Sequence, residues 1–293
     1  MFLKDFFELI KVKILIFSLF TVFIGALLAV DIFTDDHLFK LLYLFIGVLF
    51  VFSASAALNH VFEVNVDQLM ERTKDRPLVT RRFSIFWVVI LAVLSAFLGL
   101  LILYFFVNYF VFLVALGILC LYNFFYTPLK KISWLNTFVG AFPGAMPFLC
   151  GWYAFSSDFT IIALLYFLLF YFWQLPHFFA IAWIAKDSYQ SAGIRMVSYK
   201  DDQGLFTCRV LAVSSVLFVI ISLLPFVYNF AGYVYLFSMG LLGFYLLKYS
   251  YYFLFDRSIE LARTIMKLSI LYPPVLFLVI LIERRYLLID LFF

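Results

Sequence analysis

The chain has 293 residues, 67% of them hydrophobic and only 13% charged, which is far more apolar surface than a soluble core of this length can bury. Runs such as 88–104, 161–172 and 211–227 can hide only in lipid or against one another, and no regular apolar–polar alternation suggests an outer-membrane barrel. A formal net charge of +4 is too small to argue for nucleic acid.

An interfacial amphipathic stretch, 2–9, leads to Lys11 and Lys13. The apolar run behind them lacks a small-residue cleavage site and reads as a first spanning helix, about 14–30, rather than a removed leader. Asp31, Asp35 and Asp36 mark the turn on the far side, and helix two follows at about 41–62. Helices three and four, about 85–104 and 109–125, meet in a tight turn near Asn108. Helix five spans about 135–155 and helix six about 160–183. A polar loop, 186–207, precedes helices seven, eight and nine at about 210–228, 233–254 and 265–282. Each is long enough to cross roughly 30 Å of hydrocarbon at 1.5 Å per residue.

Nine spans put 18 of the 21 lysines and arginines on the N-terminal side and leave only Lys40, Arg284 and Arg285 opposite. By the positive-inside rule the N-terminus is cytoplasmic and the C-terminus outside. No linker rich in Ser, Pro or Gly divides the chain, so 1–293 reads as a single membrane-embedded domain. Cys120, Cys150 and Cys208 are isolated in or beside apolar segments and read as small apolar residues.

The densest charge lies between Asn59 and Pro77. On a helix Asn59, Glu63 and Asp67 stand four residues apart and form one slowly rotating stripe. Arg72, Lys74 and Arg76 follow at once. Hard oxygen ligands beside several cations suit a diphosphate bound through magnesium. A solvated helix end with cations placed by topology accounts for the same residues. Pro128 ends helix four, and Lys130 and Lys131 beyond it either reach a phosphate or snorkel. Helix five carries Gly140, Pro143, Gly144, Pro147 and Gly151, which suit close helix approach and a bent axis. In helix six, His177 follows Pro176, where a freed carbonyl could hold it as a ligand or as an ordinary core histidine. Lys186, Asp187, Ser188 and Tyr189 supply a second polar motif on the same side.

The segments 59–79, 126–131, 135–152, 173–183, 186–196 and 262–277 together resemble the intramembrane UbiA-type prenyltransferases. Within that superfamily they are most similar to the protohaem IX farnesyltransferases, the haem O synthases. The most specific stretches are Met70–Val79 (MERTKDRPLV), Leu135–Pro147 (LNTFVGAFPGAMP) and Trp173–Trp183 (WQLPHFFAIAW). The resemblance implies an all-α polytopic membrane protein with nine helices around a central pocket, in the cytoplasmic (inner) membrane with the active-site mouth on the cytoplasmic side. It also implies magnesium as cofactor, farnesyl diphosphate as donor and haem B as acceptor. A haem-modifying enzyme or oxidase-assembly machinery would be the downstream partner.

Carried across, Asn59, Glu63 and Asp67 form the first metal-binding motif, and Arg72, Arg76 and Lys130 contact the diphosphate. His177 positions or ligates haem, and Lys186, Asp187 and Tyr189 form the second motif, with Asp187 as a further metal ligand. Tyr126, Phe142 and Trp183 are candidate walls around the reacting carbon. Three features depart from the family pattern. Glu63 stands where aspartate is common, Lys11-Val12-Lys13 replaces Lys-Pro-Arg, and Ser188 takes a slot commonly held by aspartate while Arg195 replaces a proline. An aromatic quinone precursor as acceptor, or a transporter or assembly factor in place of an enzyme, are the rival readings.

Overall fold

The computed structural model describes residues 2–30 and 34–284; the features expected at Asp31 and Arg285 lie outside the described residues. Among them the chain is helical, with no strand. A short helix α1 (Phe2–Leu9) precedes α2 (Val12–Ala29), α3 (Asp35–Asp67) and α4 (Ile85–Phe106). Next comes α5 (Tyr109–Cys120), which runs through a π-helical stretch, Leu121–Tyr126, into the single turn α6 (Thr127–Leu129). Then follow α7 (Asn136–Phe155), α8 (Ile161–Ile184), the short α9 (Lys186–Ser191), α10 (Leu205–Val227), α11 (Tyr233–Phe253) and α12 (Ile259–Glu283).

Eight rods among the described residues are long and apolar enough to span a bilayer: α2, α3, α4, the continuous Tyr109–Leu129 rod, α7, α8, α10 and α12. The sequence leads one to expect nine. The missing one, α11, has the length with 21 residues, but Tyr233, Tyr235, Tyr245, Tyr249, Tyr251 and Tyr252 dilute its apolar character. In the other direction, α3 is longer than lipid requires. Its 33 residues extend about 50 Å, so its ends project from a core roughly 30 Å thick and carry Asp67 clear of the apolar part.

The helices fall into two compact units. One takes the residues up to Asp158 together with Asp187–Ile194. Within it α3 packs along α4, and α2 and α5 pack on α7. The α2–α7 approach depends on small residues, since a Cβ on Gly151 would overlap the Val22 carbonyl. Asn108 makes the tight turn expected before α5: its Oδ1 accepts from Val111 N at 2.9 Å and its Nδ2 donates to the Tyr153 carbonyl at 2.6 Å. The second unit takes Phe159–Lys186 and the residues from Arg195 onward. Here α8, α10 and α12 pack on one another and α11 covers α10 and α12. The Glu283 carboxylate accepts from Gly232 N and Tyr235 N, both at 2.8 Å, and so satisfies free N–H groups at the start of α11.

Three helices begin earlier than hydropathy suggests: α3, at Asp35, and two more. Before α10, Asp201 Oδ2 accepts from both Thr207 N (2.7 Å) and Thr207 Oγ1 (2.8 Å), and Gly204 takes φ 70° to start the helix. Before α12, Ser258 caps the Leu261 N–H and Glu260 lies in the first turn, where a carboxylate suits the helix dipole.

Candidate active site

The last turns of α3 carry the oxygen stripe. Asn59 and Asp67 are buried and Glu63 is half-buried, so none can stay unpaired without cost. Each meets a cation. Lys11 Nζ donates to Asn59 Oδ1, Lys130 Nζ donates to Glu63 Oε1 at 2.6 Å, and Arg76 donates to Asp67 Oδ2 at 2.6 Å. The three cations come from three places in the sequence: the α1–α2 turn, the end of the Tyr109–Leu129 rod and the loop after α3.

Local backbone features aim these side chains. Lys11 holds a left-handed conformation, φ 51°, between α1 and α2. A residue before proline is pushed to extended backbone, so Val12 in place of proline removes that restriction. Next to α3 the Tyr109–Leu129 rod loosens into its π-helical stretch, an irregularity common at functional sites. It presents Tyr122, Tyr126 and Thr127 to the stripe. Thr127 Oγ1 accepts from Asn59 Nδ2 at 2.9 Å and donates to the Tyr122 carbonyl at 2.8 Å. Lys11 Nζ also donates to Tyr122 OH at 3.2 Å. One turn away, Asn123 Nδ2 donates to Ser55 Oγ at 2.8 Å, so a polar seam continues along α3. Lys130 sits 4.4 Å from the Tyr126 ring centroid, a cation–π contact. A Cβ on Gly140 would lie 2.5 Å from that ring, so only glycine lets Tyr126 seat there.

The loop after α3 is tied down at both ends. Thr73 Oγ1 donates to the Asp67 carbonyl at 2.9 Å. Arg82 donates to the buried Asp5 carboxylate of α1 at 2.7 Å and also to the Asp75 carbonyl. Arg76 is therefore presented to Asp67 by a loop with little freedom. Arg72 is exposed and has no ion pair among the described residues.

Burial lowers the Lys11 ammonium to about 7; Glu63 and Asp67 oppose that fall, while Lys130 and Arg76 add to it. Burial pulls Lys130 down too, but Tyr126 and Glu63 outweigh it and hold this ammonium above the ordinary lysine range. The donor set suits magnesium: two carboxylates and an amide oxygen, with Asp67 Oδ1 buried and lacking a hydrogen-bond partner. Magnesium is commonly held by one or two carboxylates plus substrate phosphates, and does not need a dense protein cage. Among the described residues no three His, Cys, Asp or Glu side chains gather.

The second motif is built differently. Lys186, at the start of α9, donates to the carbonyls of Asp201 and Asp202, both at 3.2 Å, and lies 5.0 Å from the Trp183 ring centroid. Asp187 is exposed, without an ion pair among the described residues, and Tyr189 is half-buried. In α8, His177 Nδ1 shares a 2.9 Å hydrogen bond with Ser269 Oγ of α12, and its ring stacks on Trp173 at 5.8 Å. The partner is thus a side chain of another helix and not a carbonyl freed by Pro176. Trp173 Nε1 donates to the Ser269 carbonyl at 2.6 Å, fixing the same point. Of the candidate walls, Tyr126 lies against Lys130, the partner of Glu63. Phe142 is exposed, and Trp183 donates its indole N–H to the Arg257 carbonyl at 2.8 Å.

Sequence reasoning missed Lys11, Tyr122 and Thr127 as members of this cluster. One signal was available. Tyr122, Tyr126 and Lys130 repeat every four residues, the same spacing as Asn59, Glu63 and Asp67.

Comparison with known proteins places the chain in a family. Protoheme IX farnesyltransferase of Flavobacterium johnsoniae is 36% identical over 288 residues, 96% of this chain and 94% of that protein. The protein of the same name from Koribacter versatilis is 33% identical and equally covered. Among solved structures, digeranylgeranylglyceryl phosphate synthase superposes with a TM-score of 0.78 at 20% identity, over 96% of this chain and 98% of that one. A UbiA homolog from Archaeoglobus fulgidus bound to GPP and Mg2+ superposes with a TM-score of 0.64 at 16% identity, over 94% and 99%. The model of the UbiA prenyltransferase family matches residues 18–271. A helical membrane chain with an oxygen stripe held against three cations, and matched over nearly all its length, belongs to the UbiA prenyltransferase family.

Proposed function

We propose that the chain transfers the farnesyl group of farnesyl diphosphate to a vinyl group of haem B, with addition of water, giving haem O and diphosphate. The observation that carries this reading is the triple pairing of Asn59, Glu63 and Asp67 with Lys11, Lys130 and Arg76, in a chain 36% identical to a protoheme IX farnesyltransferase. On this reading 1–293 acts as one prenyltransferase domain. The N-terminus and the stripe face the cytoplasm, the C-terminus lies outside, and the membrane is the inner one.

Asn59, Glu63 and Asp67 would hold magnesium, with Asp187 as an additional acidic ligand. Bound there, magnesium supplies charge neutralisation that makes diphosphate a better leaving group. Arg76 and Lys130, with Arg72 from the exposed loop, bind the diphosphate oxygens. Lys186 and Tyr189 form the second polar motif of the reaction. As the allylic C–O bond of the donor breaks, the Tyr126 ring faces the cationic carbon and the apolar helices keep water from it. The haem vinyl group supplies the electron pair for the new C–C bond. Water then adds to the other vinyl carbon and loses a proton, which leaves a hydroxyethylfarnesyl group. No side-chain nucleophile is consumed.

His177, oriented through Nδ1 by Ser269, offers its other ring nitrogen to the haem acceptor. His177→Ala should weaken haem binding about tenfold, read from the Soret band, with diphosphate binding intact; unchanged haem affinity removes this role. The whole reading is tested by expressing the chain, supplying haem B and farnesyl diphosphate, and identifying the product by mass. Farnesylated hydroxyethyl haem is expected with Mg2+ and none with a chelator. The product would pass to a haem-modifying enzyme or to oxidase assembly.

A further inference from the structure

We propose that Lys11 is a further basic group of the diphosphate site, stored on Asn59 until a metal takes that oxygen and then handed to the diphosphate. The inference rests on the donor-site reading above and extends it to a residue outside the stripe and the loop. Lys11 Nζ bonds to Asn59 Oδ1, the atom through which an asparagine would ligate magnesium. Both cannot use that oxygen in the same geometry at full strength. A metal on Oδ1 would therefore displace the ammonium, whereas Lys130 and Arg76 each hold one carboxylate oxygen, Glu63 Oε1 and Asp67 Oδ2, and Asp67 Oδ1 has no hydrogen-bond partner.

A released Lys11 does not lose its surroundings. Tyr122 OH lies 3.2 Å from Nζ, and the Tyr122 ring centroid is 5.6 Å away. These contacts keep the side chain at the end of the stripe, where the metal-bound diphosphate would arrive with several unsatisfied oxygens. The backbone is committed to the same end. A lysine with φ 51° is uncommon, and the turn is held by Lys11 N donating to the Glu8 carbonyl at 3.0 Å and by the Lys11 carbonyl accepting from Ile14 N at 2.9 Å. A lysine placed only for topology would extend toward the lipid headgroups; this one is turned inward onto a buried amide.

The test compares wild type, Lys11→Gln and Lys11→Arg in detergent by titration calorimetry. The probes are Mg2+ alone and inorganic pyrophosphate with Mg2+ present. For Lys11→Gln we expect pyrophosphate affinity to fall roughly tenfold or more, as for loss of a charge-assisted hydrogen bond, while Mg2+ alone binds as well or more tightly. Lys11→Arg should retain most pyrophosphate affinity. Pyrophosphate affinity of Lys11→Gln within about twofold of wild type overturns the inference. So does a parallel fall in both affinities that Lys11→Arg does not rescue, since that marks a structural lysine. If the wild type itself shows no Mg2+-dependent pyrophosphate binding, the donor-site reading fails and this inference with it. If Lys11→Gln does not elute as one species, Lys11→Asn takes its place, because asparagine tolerates the left-handed backbone.

Discussion

In the first polar motif every oxygen-bearing residue of the stripe is paired inside the protein; in the second, Lys186 turns to backbone carbonyls of a neighbouring loop and Asp187 faces outward. Burial explains the contrast. Asp67 is 1% exposed and Asn59 fully buried, so their charges and dipoles are felt in a medium of low polarity and must be answered by a partner. An exposed carboxylate such as Asp187 is solvated and screened, and needs none. The buried set is therefore tightly ordered. The exposed set is left to solvent.

The largest effect should come from breaking the buried set. Asp67→Asn keeps the shape and leaves an amide oxygen for Arg76, but removes the carboxylate charge and the unpartnered Oδ1. Haem O formation in membranes should fall about a hundredfold or more, in the range seen when one stabilising group is removed from a preorganised site. The protein should still insert and elute as the wild type does. Wild-type haem O formation by this variant would end the metal assignment. By contrast, Asp187→Asn should reduce activity tenfold or less, mainly by raising the Mg2+ concentration needed for half-maximal rate. A loss matching that of Asp67→Asn would erase the distinction between the two motifs.

Much of this architecture can be read from the sequence, because its signals are local. Apolar runs mark the rods, Asn108 marks a cap, and the four-residue spacing of Asn59, Glu63 and Asp67 marks a face of a helix that does continue to Asp67. Where hydropathy misplaces a boundary, the helix extends beyond its apolar part: α3 begins at Asp35, α10 at Leu205 and α12 at Ile259. Those added turns mix polar with apolar residues and are held at their starts by the Thr34 capping box, by Asp201 and by Ser258, which an apolar window does not register. The count of nine depended on treating tyrosine-rich α11 like its neighbours. The cluster around Lys11 was harder still. Its partners lie 48 and 111 residues away, and a π-helical stretch resets the register that a 3.6-residue count assumes. Apart from its place in the slot of the family's Lys-Pro-Arg, nothing local to Lys11 distinguishes it from a topology-setting lysine.

The smallest effect separates the motifs by stability alone. Lys130→Met leaves Glu63 with no cation on Oε1 in a half-buried place, and an ion pair broken on one side leaves the stranded charge to bear its own desolvation. Lys186→Met strands no comparable charge. Its bridge to Asp202 spans 3.6 Å and that carboxylate is 91% exposed, so the pair contributes about 0–1 kcal/mol. The two carbonyls it releases sit on a polar loop where water can replace the ammonium, and the methionine side chain can keep the packing against Trp183. Thermal unfolding in detergent should therefore place Lys186→Met near wild type and Lys130→Met several degrees lower. Equal melting of the two would mean that the 201–202 loop is anchored as firmly by Lys186 as the stripe is by Lys130, and that exposure is the wrong measure of the difference.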